Sequence, residues 1–513
     1  MKKTLLTMLF ALMAVVMPIG ALAQDEQTVE AKWGTSKENL TDSGTLAMAF
    51  EAAWNSNEVA YVQLQCDVDA EDSYEIDAGT FTLDLNGHTL SCDSSSTLII
   101  NHADMQLTDS SVEKDGKILC TKVQAGVSNY AVRLWRGTLT IDCGSYEADA
   151  GPAVAVYSGK VMITDGNFKV KSVSNGVIMN EFGELTISGG NFYTENVNCA
   201  VRTGTESSTT TISGGTFYDL GRAAILYNGG KLDFSGHKNP MGISVLSYLE
   251  GVVGDEAVKL PEGYSFYNRK DEVIAGLMYN EECFIGKDGN AGFTLTLKAN
   301  NDTEEMVENV NVTSPTGRYT LPECPFTAPE KKMFKAWLIG EVEYQPGEVV
   351  CVTADTEAKA IWIDCFSNII IKMHDSYGDG WADNAIVVKK DGEEIRTLTL
   401  AKGSNSLDFF VYDAAAEYTF YWNVGRDTSE CSFEIFAKGE PVFVAVAGDC
   451  VNYENGMLIF TLSVASGEGS TDIEEMKELR VESKEIYDLN GRRVEAIVNT
   501  GIYIVNGKKV LVK

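Results

Sequence analysis

Apolar and polar positions alternate along this chain in short runs, and the alternation repeats. The phrase Thr140-Ile141-Asp142-Cys143-Gly144-Ser145-Tyr146 returns as Ile163-Thr164-Asp165-Gly166-Asn167-Phe168, Ile187-Ser188-Gly189-Gly190-Asn191-Phe192 and Ile212-Ser213-Gly214-Gly215-Thr216-Phe217. The isoleucines lie 22, 24 and 25 residues apart. A fixed period of that size marks one supersecondary unit stacked on copies of itself. Each phrase reads as a strand that ends at a glycine turn and is followed by an aromatic. A second strand recurs at nearly the same period in Ala131-Val132-Arg133-Leu134, Ala153-Val154-Ala155-Val156, Gly176-Val177-Ile178-Met179, Ala200-Val201 and Ala224-Ile225-Leu226. Two short strands per period with no helix between them predict a parallel β-helix, each coil about 4.8 Å above the last. Upstream, Phe81 to Leu90 alternates in the same way around an Asn86-Gly87 turn.

Before the repeats, Leu46 to Trp54 reads as a short helix. Together these stretches resemble right-handed parallel β-helix proteins of the pectin-lyase-like type, in which such a helix caps the open apolar end. The resemblance covers residues 40–240. Enzymes of that type cleave acidic polysaccharides with a calcium-holding acidic cluster and an Arg or Lys base, or with neighbouring carboxylates. Asp142 and Asp165 fall at equivalent places in consecutive coils and would stack about one strand spacing apart, and Gly189 and Gly214 end that series. Arg133, Arg136, Arg202 and Arg222 qualify as bases by residue type alone. None of the enzymes' motifs matches residue by residue, so no catalytic or cofactor-binding residue is assigned. His88, Asn86, Asn167 and Asn191 read as turn residues.

Beyond a closing segment the period changes. Phe293–Lys298, Gly317–Leu321, Phe334–Trp337 and Ala358–Trp362 are strand-like. The words Tyr319-Thr320-Leu321-Pro322, Phe334-Lys335-Ala336-Trp337, Tyr344-Gln345-Pro346-Gly347 and Ala360-Ile361-Trp362 stand in the order of the Listeria–Bacteroides repeat, the B-repeat of internalin-like proteins. That resemblance implies a small β-grasp-like module serving as an extracellular spacer, with Trp337 and Trp362 as core residues.

The stretch richest in chemistry is Asp375-Ser376-Tyr377-Gly378-Asp379-Gly380-Trp381-Ala382-Asp383-Asn384. Asp375, Asp379, Gly380 and Asp383 fall at positions 1, 5, 6 and 9 of a calcium loop, with the Trp381 carbonyl at position 7. Crowded oxygen ligands around a glycine turn suit Ca²⁺ better than a transition metal. Ile386 occupies the place of the bidentate glutamate and the flanks are strands, so the loop is not an EF-hand. With Trp422-Asn423-Val424-Gly425 and Cys431-Ser432-Phe433 downstream, it resembles the Asp-Ser-Tyr-Gly-Asp-Gly-Trp domains of exported Bacteroidota proteins, which implies a β-sandwich.

Both ends read as addresses. Lys2 and Lys3, the apolar run from Leu5 to Val16 and Ala21-Leu22-Ala23 before Gln24 form a cleavable export signal. The apolar run is too short to span a membrane as a stable helix. At the other end, Ile486–Val494 and Gly501–Lys513 resemble the C-terminal sorting domain of type IX secretion. Gly501 and Tyr503 match its Gly-x-Tyr strand, and Lys508 and Lys509 its basic last strand. The resemblance implies the type IX secretion machinery as a partner.

The formal net charge of −33 becomes 41 − 2 − 74 = −35 once Lys2 and Lys3 are removed. That argues against nucleic acid and anionic membrane as partners. Eleven cysteines without a CxxC pair and only four histidines argue against zinc, and the odd number leaves at least one thiol unpaired.

The expected organisation is an all-β multidomain chain. It comprises a signal peptide (1–23), an N-terminal cap with helix (24–56), a right-handed parallel β-helix (57–240) and a closing β segment (241–288). A B-repeat-like β-grasp module (289–364), a β-sandwich with the acidic loop (365–465), a linker (466–478) and a sorting domain (479–513) follow. The expected function is non-catalytic, an adhesin-like secreted or cell-surface protein presenting its β-helix to an extracellular glycan or protein. A β-helix polysaccharide lyase or glycoside hydrolase with accessory modules is the second expectation.

Overall fold

The computed structural model describes residues 29–464 except 57, 122–127, 172–175, 195–198, 219–222, 250–251, 253–256, 290–291, 302–305 and 402, and the backbone of four short strands between 486 and 512. The export signal and the linker lie outside the described residues. The chain divides into two units, residues 1–285 and 286–513.

The first unit is a parallel β-solenoid of about seven turns. Each coil has three strands rather than the two expected from sequence. The first face runs from Tyr61–Leu64 through strands such as Thr138–Ile141, Lys160–Ile163, Glu184–Ile187 and Thr209–Ile212 to Val258–Lys259. The second holds seven strands, among them Ser145–Ala148, Asn167–Val170 and Asn191–Thr194. The third contains Tyr130–Leu134, Val154–Val156, Ile178–Asn180 and Cys199–Thr203. The missed strand is the one that carries the aromatic of each repeated phrase. Each repeated phrase holds two strands, because the residues after its glycine form a strand of their own, such as Ser145–Ala148 with Tyr146 and Ala148 inward.

Ile141, Ile163, Ile187 and Ile212 stand in register at the ends of the first-face strands, all fully buried. Gly144, Gly166, Gly190 and Gly215 then turn the corner with φ of +94°, +124°, +94° and +100°, a region open to glycine and strained for other residues. The aromatics that follow stack inside the solenoid. Tyr146–Phe168, Phe168–Phe192 and Phe192–Phe217 have ring centroids 5.1, 5.0 and 5.0 Å apart, close to the spacing of paired strands. The repeat is therefore an inward pattern, because only inward positions must match the coil above.

The open N-terminal end is closed by helix Leu46–Asn55 and the hairpin Ala31–Ser36/Asn39–Gly44. Leu46, Ala49, Phe50 and Ala53, spaced for one helical face, are buried on the core. The Thr45 hydroxyl caps the helix by accepting from the Met48 amide at 3.3 Å. Parallel stacking continues past the boundary expected at residue 240, through Ser244–Ser247 and Val258–Lys259. Glu282–Lys287 then pairs antiparallel with Ser244–Ser247 and ends the parallel order on that face, which continues through Tyr264–Tyr267 to Val273–Ile274.

In the second unit, five strands form a mixed sheet in the order Val307–Val312, Phe293–Lys298, Thr356–Asp364, Lys332–Ile339, Val342–Tyr344, with the central pair parallel. This is the 2-1-5-3-4 order of a β-grasp sheet, and Arg318–Thr320 pairs with Val349–Cys351 beside it. Trp337 is fully buried, and its Nε1–H donates to the Pro322 carbonyl at 2.9 Å. Two four-stranded antiparallel sheets follow and make the sandwich, Asn368–Asp375 and Cys431–Ala437 central in one, Ala385–Lys390 and Glu417–Asn423 in the other. The C-terminal strands Ile486–Asp488, Arg493–Val494, Gly501–Val505 and Lys508–Val512 form a small antiparallel sheet, which places Gly501 opposite Val512 and Lys508 opposite Val505.

Candidate functional site

The acidic loop is built around a carboxylate that faces inward. Asp375, 3% exposed, ends the strand Asn368–Asp375. Its Oδ1 accepts from the Tyr377 amide at 3.1 Å, and its Oδ2 from the amides of Gly378 and Gly380 at 3.0 and 2.7 Å. Gly380 has φ +97°, and a Cβ there would sit 2.7 Å from the Leu400 carbonyl oxygen. Trp381 is buried, and its Nε1–H donates to the His374 carbonyl at 2.9 Å.

The downstream words of the motif lock onto this loop. Asn384 is fully buried, and its Nδ2 donates to the carbonyls of Trp381 and Arg426. Its Oδ1 accepts from the Gly425 amide at 2.8 Å. Gly425 has no room for a side chain, since a Cβ would lie 2.4 Å from the backbone of residues 382–384. Trp422 stacks on Phe433 with ring centroids 5.8 Å apart, and Trp381 lies 5.4 Å from Trp422. Trp381, Trp422, Gly425, Cys431 and Phe433 thus close one end of the sandwich core.

The expected cation ligands separate here. Asp375 and Asp379 come together with Glu430, each offering a carboxylate oxygen within 4.8 Å of the others. Oxygens at that separation can share an ion at Ca²⁺ ligand distances. Exposed Asp383 is not in this group, and the Trp381 carbonyl already accepts from Asn384 N and Nδ2 at 2.7 and 2.6 Å. Sequence reasoning missed Glu430 because it lies 55 residues from Asp375. Its one signal was its place just before Cys431-Ser432-Phe433. Desolvation pushes the Glu430 carboxyl up, and the charges of Asp375, Asp379 and Asp427 push it further.

On the solenoid, Asp142 and Asp165 do not occupy equivalent places. Ile141 is in register with Ile163, so Asp142 lies opposite Thr164, whose hydroxyl donates to its Oδ1 at 3.1 Å. Gln106 Nε2 donates to Asp142 Oδ2. Asp165 sits one residue further along and accepts from the Gly166 amide at 2.8 Å. Asp142 and Asp165 are 23 residues apart where Ile141 and Ile163 are 22, and this one-residue offset separates the expected pair. Among the described residues neither aspartate forms an ion pair with Lys or Arg.

Of the candidate bases, Arg202 approaches Glu181 at 4.0 Å and Arg222 lies outside the described residues. Arg133 lies over the rings of Tyr130 and Trp135. No known protein family, curated protein or solved structure matches the chain.

Proposed function

We propose that this chain is an exported, non-catalytic binding protein whose solenoid surface engages an extracellular glycan or protein. The observation that carries this reading is the fate of Asp142 and Asp165. They are out of register, each is held by local hydrogen bonds, and neither is paired with a base. General acid–base cleavage needs two groups converging on one bond. Incubating the purified chain with acidic and neutral polysaccharides, with and without calcium, tests the reading. Retention of a polysaccharide without new reducing ends or unsaturated products supports it, whereas either product establishes the lyase or glycosidase reading.

In this reading Ca²⁺, if bound, sits on Asp375, Asp379 and Glu430 with water completing its shell. Asp375 Oδ2 already accepts two amides and Oδ1 only one, which leaves Oδ1 as the less committed oxygen. The ion would relieve the repulsion that adds to desolvation in raising the Glu430 carboxyl, and would stabilise the loop. Excess Ca²⁺ added to chelated protein should raise its melting temperature, and Glu430→Gln should abolish that rise. An unchanged melting temperature in the parent chain removes calcium from the proposal.

Export by way of residues 1–23, and type IX sorting by way of residues 479–513 with Gly501, Tyr503, Lys508 and Lys509, complete the reading. Deleting residues 479–513 should retain the chain inside the envelope. Undiminished surface display of the truncated chain would end the sorting assignment.

A further inference from the structure

One corner of the solenoid carries cations and exposed rings side by side. Between the third and first faces, Gly137 and Gly159 let successive turns nest backbone on backbone. A Cβ at Gly137 would lie 2.2 Å from the Ala103 carbonyl oxygen, and one at Gly159 2.3 Å from that of Gly137. This close nesting sets Trp135 and Tyr157 directly above one another, with ring centroids 4.3 Å apart and planes 24° apart. Trp135 remains 40% exposed and Phe182, in the coil after that of Tyr157, 50% exposed.

The charges here are unusual for so acidic a chain. The Arg133 guanidinium carbon lies 5.4 Å from the Tyr130 centroid and 5.1 Å from that of Trp135. Its Nε is buried without a hydrogen-bond partner. A buried donor left unpaired costs free energy, and with 74 acidic residues in the chain a carboxylate partner would be easy to supply. The acid in the same turn column, Glu181, is engaged by Arg202 instead. Arg136, next to Trp135, is exposed.

We infer that Arg133, Trp135, Arg136 and Tyr157 form a contact site for a sugar ring bearing a carboxylate or sulfate group. This rests on the glycan-binding reading above and names its place and ligand class. Trp135 supplies a flat apolar surface for the C–H face of the ring. The guanidiniums supply forked donors that match a planar or tetrahedral oxyanion. A peptide added as an extra strand fits less well, because the strand Tyr130–Leu134 is paired on both sides.

Calorimetric titration of the full chain tests this, with oligosaccharides of a uronic acid, a sulfated galactan and their neutral counterparts as probes. The parent chain should bind an anionic probe and not the neutral one, and the carboxylated and sulfated arms identify the group recognised. Trp135→Ala and Arg133→Met should each weaken binding by about tenfold or more, equivalent to roughly 1.4 kcal/mol. The exposed substitution Arg136→Gln should weaken it by a smaller factor and serves as the test if either of the others fails to fold. Equal anionic binding by the parent and all three variants overturns this site but leaves the glycan reading standing. Absence of any glycan binding by the parent overturns this site and the glycan half of the proposed function together.

Discussion

The solenoid and the Asp375 loop both set acidic residues beside glycines and aromatics, and they use them in opposite ways. In the solenoid the repeated residues face inward or turn the chain, and the outward position after each isoleucine varies as Asp142, Thr164, Ser188 and Ser213. In the sandwich the acid itself faces inward and holds three amides. A stacked fold fixes its backbone through coil-to-coil hydrogen bonds, so its surface is free to change. An unrepeated loop has no coil above it and must fix its backbone with side chains.

The largest effect should come from the inward column. Phe168 is fully buried between Tyr146 and Phe192. Phe168→Ala should cost about 3–5 kcal/mol, read from the denaturant midpoint of the full chain. A cost no greater than that of an exposed substitution would mean that the aromatic stack is not what unites the coils.

In the sandwich the corresponding test is Asn384→Asp. It keeps the shape but turns Nδ2, a donor to two carbonyls, into an acceptor facing them. A loss of about 2–4 kcal/mol is expected, with a collapse of the near-ultraviolet signal from the packed Trp381 and Trp422. If this change is mild while Phe168→Ala is severe, the loop is not locked by its side chains and the contrast between the regions fails.

These two columns also show what the chain discloses about itself. The solenoid was legible because inward positions must match at every coil, which writes a period into the sequence. The second-face strand of each coil was obscured because its aromatic reads as the end of the glycine turn before it. The one-residue offset between Asp142 and Asp165 is written in the sequence, 23 residues against 22 for Ile141 and Ile163, and the register of those isoleucines gives it structural meaning. In the sandwich, Asp375 and Asp379 were legible as neighbours, whereas Glu430 reaches them only through the pairing of Asp375 with Cys431. Trp135 is unmarked in the sequence, because nothing in its own coil announces that Tyr157 will stack on it.

Asp84 gives a smaller effect with a definite pH dependence, in a solenoid carboxylate that behaves like Asp375. It is fully buried and accepts from Tyr61 Oη, Gln63 Nε2, Asn86 N and both Ser110 donors. Burial pushes its carboxyl up, but the bonds from Gln63, Ser110 and Tyr61 together outweigh it and hold it below the ordinary range. The unfolded chain therefore takes up this proton more readily than the native one. The stabilisation is complete above the unfolded pKa of about 3.9 and is lost as pH falls through the lower folded value. Asp84→Asn should cost about 1–3 kcal/mol at neutral pH, and the melting-temperature gap to the parent should narrow below about pH 4. A gap that stays constant to pH 2 would mean that the carboxylate charge does not organise this turn.

The smallest expected effect bears hardest on function. Asp142→Asn and Asp165→Asn remove charge from outward turns, where the remaining amide oxygen can still accept from Thr164 or the Gly166 amide. Each should change stability by less than about 0.5 kcal/mol, and the double variant by about the sum, because the two do not share a partner. It should also retain polysaccharides as well as the parent does, since neither aspartate belongs to the Trp135 corner. A much larger stability change would show that the outward positions carry the coil, contrary to the division drawn from the inward column. Loss of a polysaccharide-cleaving activity in the double variant, with its melting temperature unchanged, would show that two carboxylates out of register can still converge on a substrate. That result would turn the scaffold into an enzyme.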